Sequence, residues 1–242
     1  MKSNAIVRLS GRAAAILCGA ALSLAVAAGA SEPPKGSDKP ASPPAAKPTD
    51  KAAAPYLLDV CPVSGEKLGS MGKAVVRVYE GREVRFCCAG CVGEFEKDKA
   101  ASLKKLDEQI IKQQLPHYPL KACVVMPDDE LVNEGDGKAV DLVYQNRLVR
   151  FCCAGCVKKF KADPDQYLKK IDEAVIAEQK PNYPLDTDVV TGEKLGANSI
   201  DKVYGVTLVR FANADSIAKF NADPTAAIAK LHDAWKAKQP HG

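Results

Sequence analysis

Hydrophobic positions between residues 75 and 110 change spacing once, from the alternation of a strand to the three-to-four spacing of a helix. Residues 75–79 and 84–87 are short runs rich in β-branched side chains, with Glu80-Gly81 between them. Two such runs joined by a two-residue turn predict a β-hairpin. Apolar residues then recur at Leu103, Leu106 and Ile110. This spacing predicts an amphipathic helix whose apolar side faces the core.

The same pattern occurs three times along the chain. The segments VYEGREVRF from Val78, VYQNRLVRF from Val143 and VYGVTLVRF from Val203 align without a gap. The matching helix stripes are Leu168, Ile171 and Val175 in the second copy, and Ile228, Leu231 and Trp235 in the third. We therefore predict an α+β fold of three tandem small repeats over residues 56–117, 118–182 and 183–242. Each repeat would consist of a loop that carries a cysteine in the first two copies, a β-hairpin, a short helix and an amphipathic helix.

Two of the three copies carry the same cluster of thiols. The string RFCCAGC begins at Arg85 and again at Arg150, whereas the third copy reads RFANADS from Arg210. A further cysteine precedes each of the first two hairpins, where the third copy has Asp188. The candidate metal ligands are Cys61, Cys87, Cys88, Cys91, Cys123, Cys152, Cys153 and Cys156. The third repeat is degenerate and has no cysteine, so the fold itself is not expected to need a metal or a disulfide. We interpret Asp188 and its polar neighbours as a solvated loop rather than a hard-cation site.

The spacing of the CCAGC string predicts thiols on one side of a helix N-terminus. If the strand ends at Phe86 or Cys87, then Cys88 and Cys91 lie in the first helical turn. A helix N-terminus favours the thiolate, which is the form that binds a metal or attacks a disulfide. Soft thiolates select Cu(I) or Zn(II) over Mg²⁺ and Ca²⁺, so the expected ligand is a thiophilic metal ion. We interpret Met126 as a core thioether rather than a fourth ligand.

Two other interpretations of the thiols remain open. Four cysteines per copy in an oxidising compartment could form two disulfides, in a disulfide-stapled periplasmic interaction module. Cys88-Ala89-Gly90-Cys91 is also a CxxC motif at a strand-to-helix junction, where thiol–disulfide redox proteins carry theirs. The chain has no HExxH, P-loop, dinucleotide or Ser-His-Asp pattern, so we expect a protein that is not an enzyme.

The first 30 residues predict a secretory signal peptide. Lys2, Arg8 and Arg12 precede an apolar run rich in Ala and Leu, and Ala28-Gly29-Ala30 is a small-x-small cleavage signal. Residues 31–55 contain seven prolines and no large apolar side chain, which is typical of a semi-extended linker. The expected location is therefore the periplasm or the medium.

The net charge of the mature chain does not indicate a nucleic-acid-binding surface. Removing residues 1–30 takes away three of the 34 basic residues and none of the 30 acidic ones, which leaves a net charge of +1. A nucleic-acid-binding protein would instead show a basic patch. The expected partners are a metal ion and a metal-transport or envelope protein, with membrane contact only if the signal segment stays uncleaved.

A wider set of residues is common to both Cys-rich copies. The first copy has Cys61-Pro62-Val63, Tyr79, Gly81, Phe86-Cys87, Cys91, Phe95 and Asp98. The second copy has Cys123, Tyr144, Phe151-Cys152, Cys156, Phe160, Asp163-Pro164 and Tyr167. This constellation resembles the YHS and TRASH group of small heavy-metal-binding domains over almost all of both copies.

The resemblance implies a treble-clef-like fold with one set of three cysteine ligands per copy. The implied sets are Cys61, Cys87 and Cys91, and Cys123, Cys152 and Cys156. Cys88 and Cys153 are then spare or fourth ligands. Domains of this group are associated with trafficking, sensing or resistance of metals such as copper. The expected function is that of an exported heavy-metal-binding protein in metal trafficking, sequestration or resistance.

Overall fold

The structure is a computed structural model that describes residues 53–133, 135 and 138–238. The predicted signal peptide, residues 1–30, lies outside the described residues, as does the predicted linker, residues 31–55, apart from its last three residues. The predicted α+β class is confirmed, because helices and small antiparallel hairpins alternate along the chain. Within the described part, none of the helices combines the length and the apolar character that crossing a membrane requires.

The same order of elements, a hairpin and then two helices, occurs three times. The first set is β1 (Val75–Tyr79), β2 (Arg82–Phe86), α1 (Ala89–Lys97) and α2 (Lys99–Gln114), followed by a short 3₁₀ turn at Leu115–His117. The second set is β3 (Val140–Tyr144), β4 (Arg147–Phe151), α3 (Ala154–Ala162) and α4 (Pro164–Gln179). The third set is β5 (Ile200–Tyr204), β6 (Thr207–Phe211), α5 (Ala214–Ala222) and α6 (Pro224–Lys238).

The hairpins close through two-residue turns, as the sequence predicts. In the first hairpin Tyr79 pairs with Arg82, which leaves Glu80 and Gly81 as the turn. Both turn residues have positive φ angles, 54° and 75°. Positive φ at both central positions is the geometry of the turn that matches the twist of the two strands.

Each hairpin packs against its short helix through a pair of fully buried phenylalanines. The ring centroids are 5.2 Å apart for Phe86 and Phe95, 5.3 Å for Phe151 and Phe160, and 5.4 Å for Phe211 and Phe220. Edge-on or tilted pairs at this distance stabilise a core beyond the area that they bury. These pairs fix where the short helix begins relative to the end of the second strand.

The long helices bury the predicted stripes. Leu103, Leu106 and Ile110 are all buried on α2, whereas Leu168 on α4 and Trp235 on α6 are only partly buried. Buried residues of the second and third sets form one continuous core, and the first set has a core of its own.

Glutamine side chains at the ends of long helices join one set of elements to the next. Gln114 accepts a hydrogen bond from the Leu148 N–H and donates to the Asn146 carbonyl, both at 2.9 Å. Gln179 makes the same pair of bonds with Leu208 and Val206, both at 2.8 Å. Each glutamine thus pairs with the backbone of the following hairpin, which fixes that hairpin against the preceding helix.

Asn146 is the most connected polar side chain at the first of these junctions. Its Oδ1 accepts from Arg82 Nε at 2.9 Å. Its Nδ2 donates to the carbonyl of Glu83 at 2.9 Å and to those of Ala54 and Pro55 at 3.1 Å. The side chain is only 2 % exposed, so water cannot replace these bonds. The end of the predicted linker is thereby tied to the second hairpin.

We expect Asn146→Gly to lower the free energy of unfolding by about 2–4 kcal/mol, because several buried partners lose their hydrogen bonds. Asn146 has a φ of 59°, and glycine tolerates such a value, so the substitution isolates the side chain from the backbone geometry. Urea unfolding would measure the loss. Gln145→Gly, at a neighbouring position with a φ of 50°, is the matched control and should cost nothing. A loss equal to that of the control would show that the bonds contribute no net stability.

Candidate metal centres

The structure brings three sulfur atoms together in each Cys-rich copy. Site 1 consists of Cys61, Cys87 and Cys91, and site 2 consists of Cys123, Cys152 and Cys156. Within each site the three Sγ atoms lie within 4.8 Å of one another. Because a metal–thiolate bond is about 2.3 Å long, three sulfur atoms at this separation can bind one ion after small side-chain movements.

Three elements converge to form site 1. The loop that carries Cys61 is closed by two bonds of that residue, from its N–H to the Glu66 carbonyl at 2.8 Å and to its carbonyl from the Gly65 N–H at 2.9 Å. Cys87 directly follows β2, and Cys91 lies in the first turn of α1. The site therefore depends on the hairpin and the helix being packed together by their phenylalanines.

Site 2 is built in the same way. The Cys123 N–H donates to the Asp129 carbonyl at 2.8 Å, which closes a loop one residue longer than that of site 1. Cys152 directly follows β4, and Cys156 lies in the first turn of α3. The placement of cysteines at the helix start agrees with the spacing of the CCAGC string.

Backbone N–H groups surround the loop cysteine of each site. Burial raises the pKa of Cys61, but N–H groups of Ser64, Cys87 and Val63 and the Ser64 hydroxyl outweigh it and lower the pKa to about 7. These donors stabilise the charged form of the sulfur. Cys61 is thus partly thiolate at neutral pH before any metal binds.

The same donors recur at site 2. Burial raises the pKa of Cys123, yet the N–H groups of Cys152, Met126 and Val125 lower it overall. These N–H groups occupy the positions that correspond to those around Cys61. No sequence motif reveals them, because every residue except proline carries such a group.

Burial raises the pKa of three further triad thiols, those of Cys91, Cys152 and Cys156. Burial, followed by the neighbouring thiols, raises the pKa of Cys91 to about 12. Burial also raises the pKa of Cys156 to about 11, and burial with the Asp129 carboxylate raises that of Cys152. A metal ion that binds these three thiols would have to displace their protons.

Cys88 and Cys153 lie beside the triads rather than within them. Cys88 Sγ is 3.7 Å from Cys91 Sγ, and Cys153 Sγ is 3.8 Å from Cys156 Sγ. Cys153 is exposed and Cys88 is partly exposed, whereas Cys61 and Cys123 are buried. The backbone N–H and the thiol of Cys91 lower the pKa of Cys88, and those of Cys156 lower the pKa of Cys153.

The two sites differ in the polar group beside the cysteine that directly follows the second strand of the hairpin. At site 1 the Ser64 hydroxyl is 3.4 Å from Cys87 Sγ. At site 2 the Asp129 carboxylate accepts from Cys152 Sγ at 3.3 Å. Asp129 was not among the site residues predicted from the sequence. The signal was available, since all three loops carry an acidic residue there, Glu66, Asp129 and Glu193.

The third copy holds a carboxylate where the other two hold a thiol. Asp188 is fully buried, so the interpretation of this residue as part of a solvated loop is wrong. Its Oδ1 accepts from Val190 N–H at 2.8 Å and Thr191 N–H at 3.1 Å, and its Oδ2 accepts from Ala212 N–H at 2.8 Å. These donors correspond to those around Cys61 and Cys123. The loop and hairpin of all three copies thus form a pocket of backbone N–H groups that holds one negatively charged side chain.

Met126 does not lie in the core as interpreted from the sequence. It is 40 % exposed, and its sulfur is 4.0 Å from Lys159 Nζ. Pro127 follows it in the longer loop of site 2.

A cavity of about 720 Å³ lies away from the thiols. Residues at the ends of α2 and α4 and along α6 line it, and none of the described cysteines does. His117 and His232 lie in its wall with ring centroids 6.1 Å apart. The metal-ligating side chains of the described residues converge in threes only at the two cysteine sites. The candidate functional sites are therefore the two triads.

The thiols are unbonded in the structure. Cys87 Sγ and Cys91 Sγ are 3.6 Å apart, as are Cys152 Sγ and Cys156 Sγ, whereas a disulfide bond is about 2 Å long. Unbonded sulfur atoms in a cluster of three are suited to binding one thiophilic ion. No protein-family model, no curated protein and no solved structure matches the chain, so these sites are interpreted from their own geometry.

Proposed function

We propose that this protein is an exported, non-enzymatic metal-binding protein that takes up one thiophilic ion, Cu(I) or Zn(II), at each of its two cysteine sites. Its role would be metal trafficking, sequestration or resistance, with a metal-transport or envelope protein as partner. The observation that carries the proposal is the convergence of three sulfur atoms within 4.8 Å at both sites.

The electrostatics of the sites support a metal rather than an inert cluster. Each pocket of N–H groups lowers the pKa of its loop cysteine, whereas burial, followed by the neighbouring thiols, raises the pKa of Cys91. A bound cation would offset the cost of burying charged sulfur atoms and so favour their ionised form. Soft thiolate ligands without oxygen donors favour Cu(I), while the nearby Asp129 carboxylate at site 2 also suits Zn(II).

The proposal includes three tandem copies of one YHS- or TRASH-type, treble-clef-like unit. The recurring order of hairpin and two helices supports it, as do the matching phenylalanine pairs and the matching N–H pockets. Export rests on the sequence of residues 1–30 alone.

Metal stoichiometry tests the proposed function. We expect the signal-free protein to bind two equivalents of Cu(I) or Zn(II) in native mass spectrometry, and Cys87→Ser with Cys91→Ser to bind one. The matched control is Cys152→Ser with Cys156→Ser, which should also leave one equivalent, and combining all four substitutions should leave none. Two equivalents in either double variant would contradict the ligand assignment.

A disulfide-stapled module is the second candidate, favoured by the same short sulfur–sulfur distances. It predicts protein from the periplasm that has no free thiol and is lighter by two hydrogens for each cysteine pair. A redox protein would instead show a rate of disulfide exchange that depends on Cys88. Counting free thiols after denaturing the protein isolated from the periplasm, together with the exchange rate, separates the disulfide-stapled module and the redox protein from the metal-binding function.

A further inference from the structure

Each triad is accompanied by a fourth sulfur, which is partly exposed at Cys88 and exposed at Cys153. Cys88 and Cys153 lie 3.7 Å and 3.8 Å from the nearest triad sulfur, in Cys91 and Cys156. Cys61 and Cys123, by contrast, are buried. A metal ion that leaves a triad toward solvent would meet the fourth sulfur on its way.

Cys88 and Cys153 occupy a position where another residue would stabilise the fold better. Both are the N-cap residues of their helices, with φ of −155° and −158°, and neither side chain makes a cap hydrogen bond. In the third copy the same position is Asn213, with φ of −157°, and its side chain accepts from the Ser216 N–H at 3.1 Å. Asparagine is among the best N-cap residues. The two Cys-rich copies therefore have a thiol where a stabilising cap is possible.

This arrangement suits ligand exchange better than permanent coordination. A thiolate that attacks a bound ion forms a new metal–sulfur bond while an old one breaks, and no electrons are transferred. The proton of the attacking thiol passes to the leaving sulfur or to water. A sulfur tethered beside the site acts at a high effective concentration, which speeds the exchange.

We propose that Cys88 and Cys153 are exchange ligands, which replace Cys91 and Cys156 on the bound ion and pass it to an incoming soft ligand. The inference rests on the proposed metal-binding function and adds to it a route for release. The cargo that fits is a soft ion such as Cu(I), which is stable with two or three sulfur ligands and exchanges them readily.

The test compares the rate of metal release with the affinity. The full signal-free chain, with Cys88→Asn and Cys153→Asn, is loaded anaerobically with Cu(I), and transfer to bathocuproine disulfonate is followed by absorbance. Asparagine reproduces the cap residue of the third copy, so the helices should remain folded. We expect the transfer rate to fall by about tenfold or more, since the tethered ligand is lost. Equilibrium competition should show a smaller change in affinity than the roughly tenfold loss that removing a supporting group causes.

Distinct outcomes separate this inference from the function on which it rests. Val78→Ala, which alters an exposed residue of β1 outside both sites without removing sulfur, should leave the release rate unchanged. An unchanged rate in the double variant, with two equivalents still bound, overturns the exchange role alone. A large loss of affinity overturns it too, because Cys88 and Cys153 would then be permanent ligands. Failure of the unsubstituted protein to bind Cu(I) or any other thiophilic ion overturns the proposed function itself.

Discussion

Asp188→Cys combined with Ala212→Cys and Ser216→Cys is expected to create a third metal site and raise the stoichiometry from two equivalents to three. The three positions correspond to Cys61, Cys87 and Cys91 of the first copy. Native mass spectrometry of the metal-loaded triple variant would count the ions directly.

The expectation depends on how closely the backbone of the third copy matches that of the first. The N-cap residue of the short helix has φ −155° and ψ 168° at Cys88, and φ −157° and ψ 178° at Asn213. The phenylalanine pairs that fix hairpin and helix are also spaced alike, at 5.2 and 5.4 Å. A thiolate at position 188 would meet the N–H groups that now hold the Asp188 carboxylate. The third copy therefore has the backbone geometry of the other two sites but lacks their thiol ligands.

The single substitution Asp188→Cys is the matched control and should bind no third ion, because one thiolate does not hold a metal as three do. The triple substitution should also bind one ion when sites 1 and 2 are disabled by serine. A folded triple variant that still binds two equivalents would show that the three copies do not share their geometry.

The hairpins and helix stripes were predictable because their signals are local. A turn of two residues between β-branched runs and an apolar spacing of three or four residues each depend on a few neighbouring positions. The same local pattern predicted Cys88 in the first helical turn, whereas the structure has it directly before the helix, as the N-cap residue with an extended backbone. The threefold recurrence of a hairpin followed by two helices was predictable because VYEGREVRF and its counterparts align without a gap.

What the sequence could not show involves contacts between distant segments. The pocket around Cys61 consists of backbone N–H groups from a loop and from the end of β2, and neither leaves a mark in residue types. Asn146 has the sequence signature of a turn residue, yet its side chain bonds to Ala54 and Pro55, about 90 positions away. Gln114 is a polar residue at the end of α2 and is buried because its side chain bonds to the backbone of the next hairpin.

Asp188 shows both what local residue types fail to predict and what an alignment of the three copies can predict. Polar residues around a loop usually indicate contact with water, and that generalisation gave the wrong environment for this residue. Its alignment with Cys61 and Cys123 held the correct information, since aspartate and a thiolate share a negative charge. An acidic residue at a thiolate position thus predicts a pocket built for an anion.

Replacing Asp188 by Ala is expected to lower the free energy of unfolding at pH 7 by about 3 kcal/mol or more, because buried N–H groups lose a charged acceptor. The donors concerned are the backbone groups of Val190, Thr191 and Ala212. Urea unfolding of the metal-free protein would measure the loss. Asp215→Asn, in the exposed first turn of α5, is the control and should cost only a few tenths of a kcal/mol.

The stabilisation by Asp188 should also depend on pH in a defined direction. Burial raises the pKa of this carboxyl, but hydrogen bonds from the Ala212 N–H, the Ser216 hydroxyl and the Val190 and Thr191 N–H groups lower it overall. A lowered pKa in the folded state means that the unfolded chain binds the proton more tightly, so acid favours unfolding. The contribution is complete above the unfolded pKa of about 3.9 and is lost as the pH falls through the folded value. The difference in stability between the unsubstituted protein and Asp188→Asn should therefore be constant from pH 7 to about pH 5 and shrink below about pH 4. A difference that stays constant down to pH 2 would mean that the carboxylate is not held in its charged form by the N–H pocket.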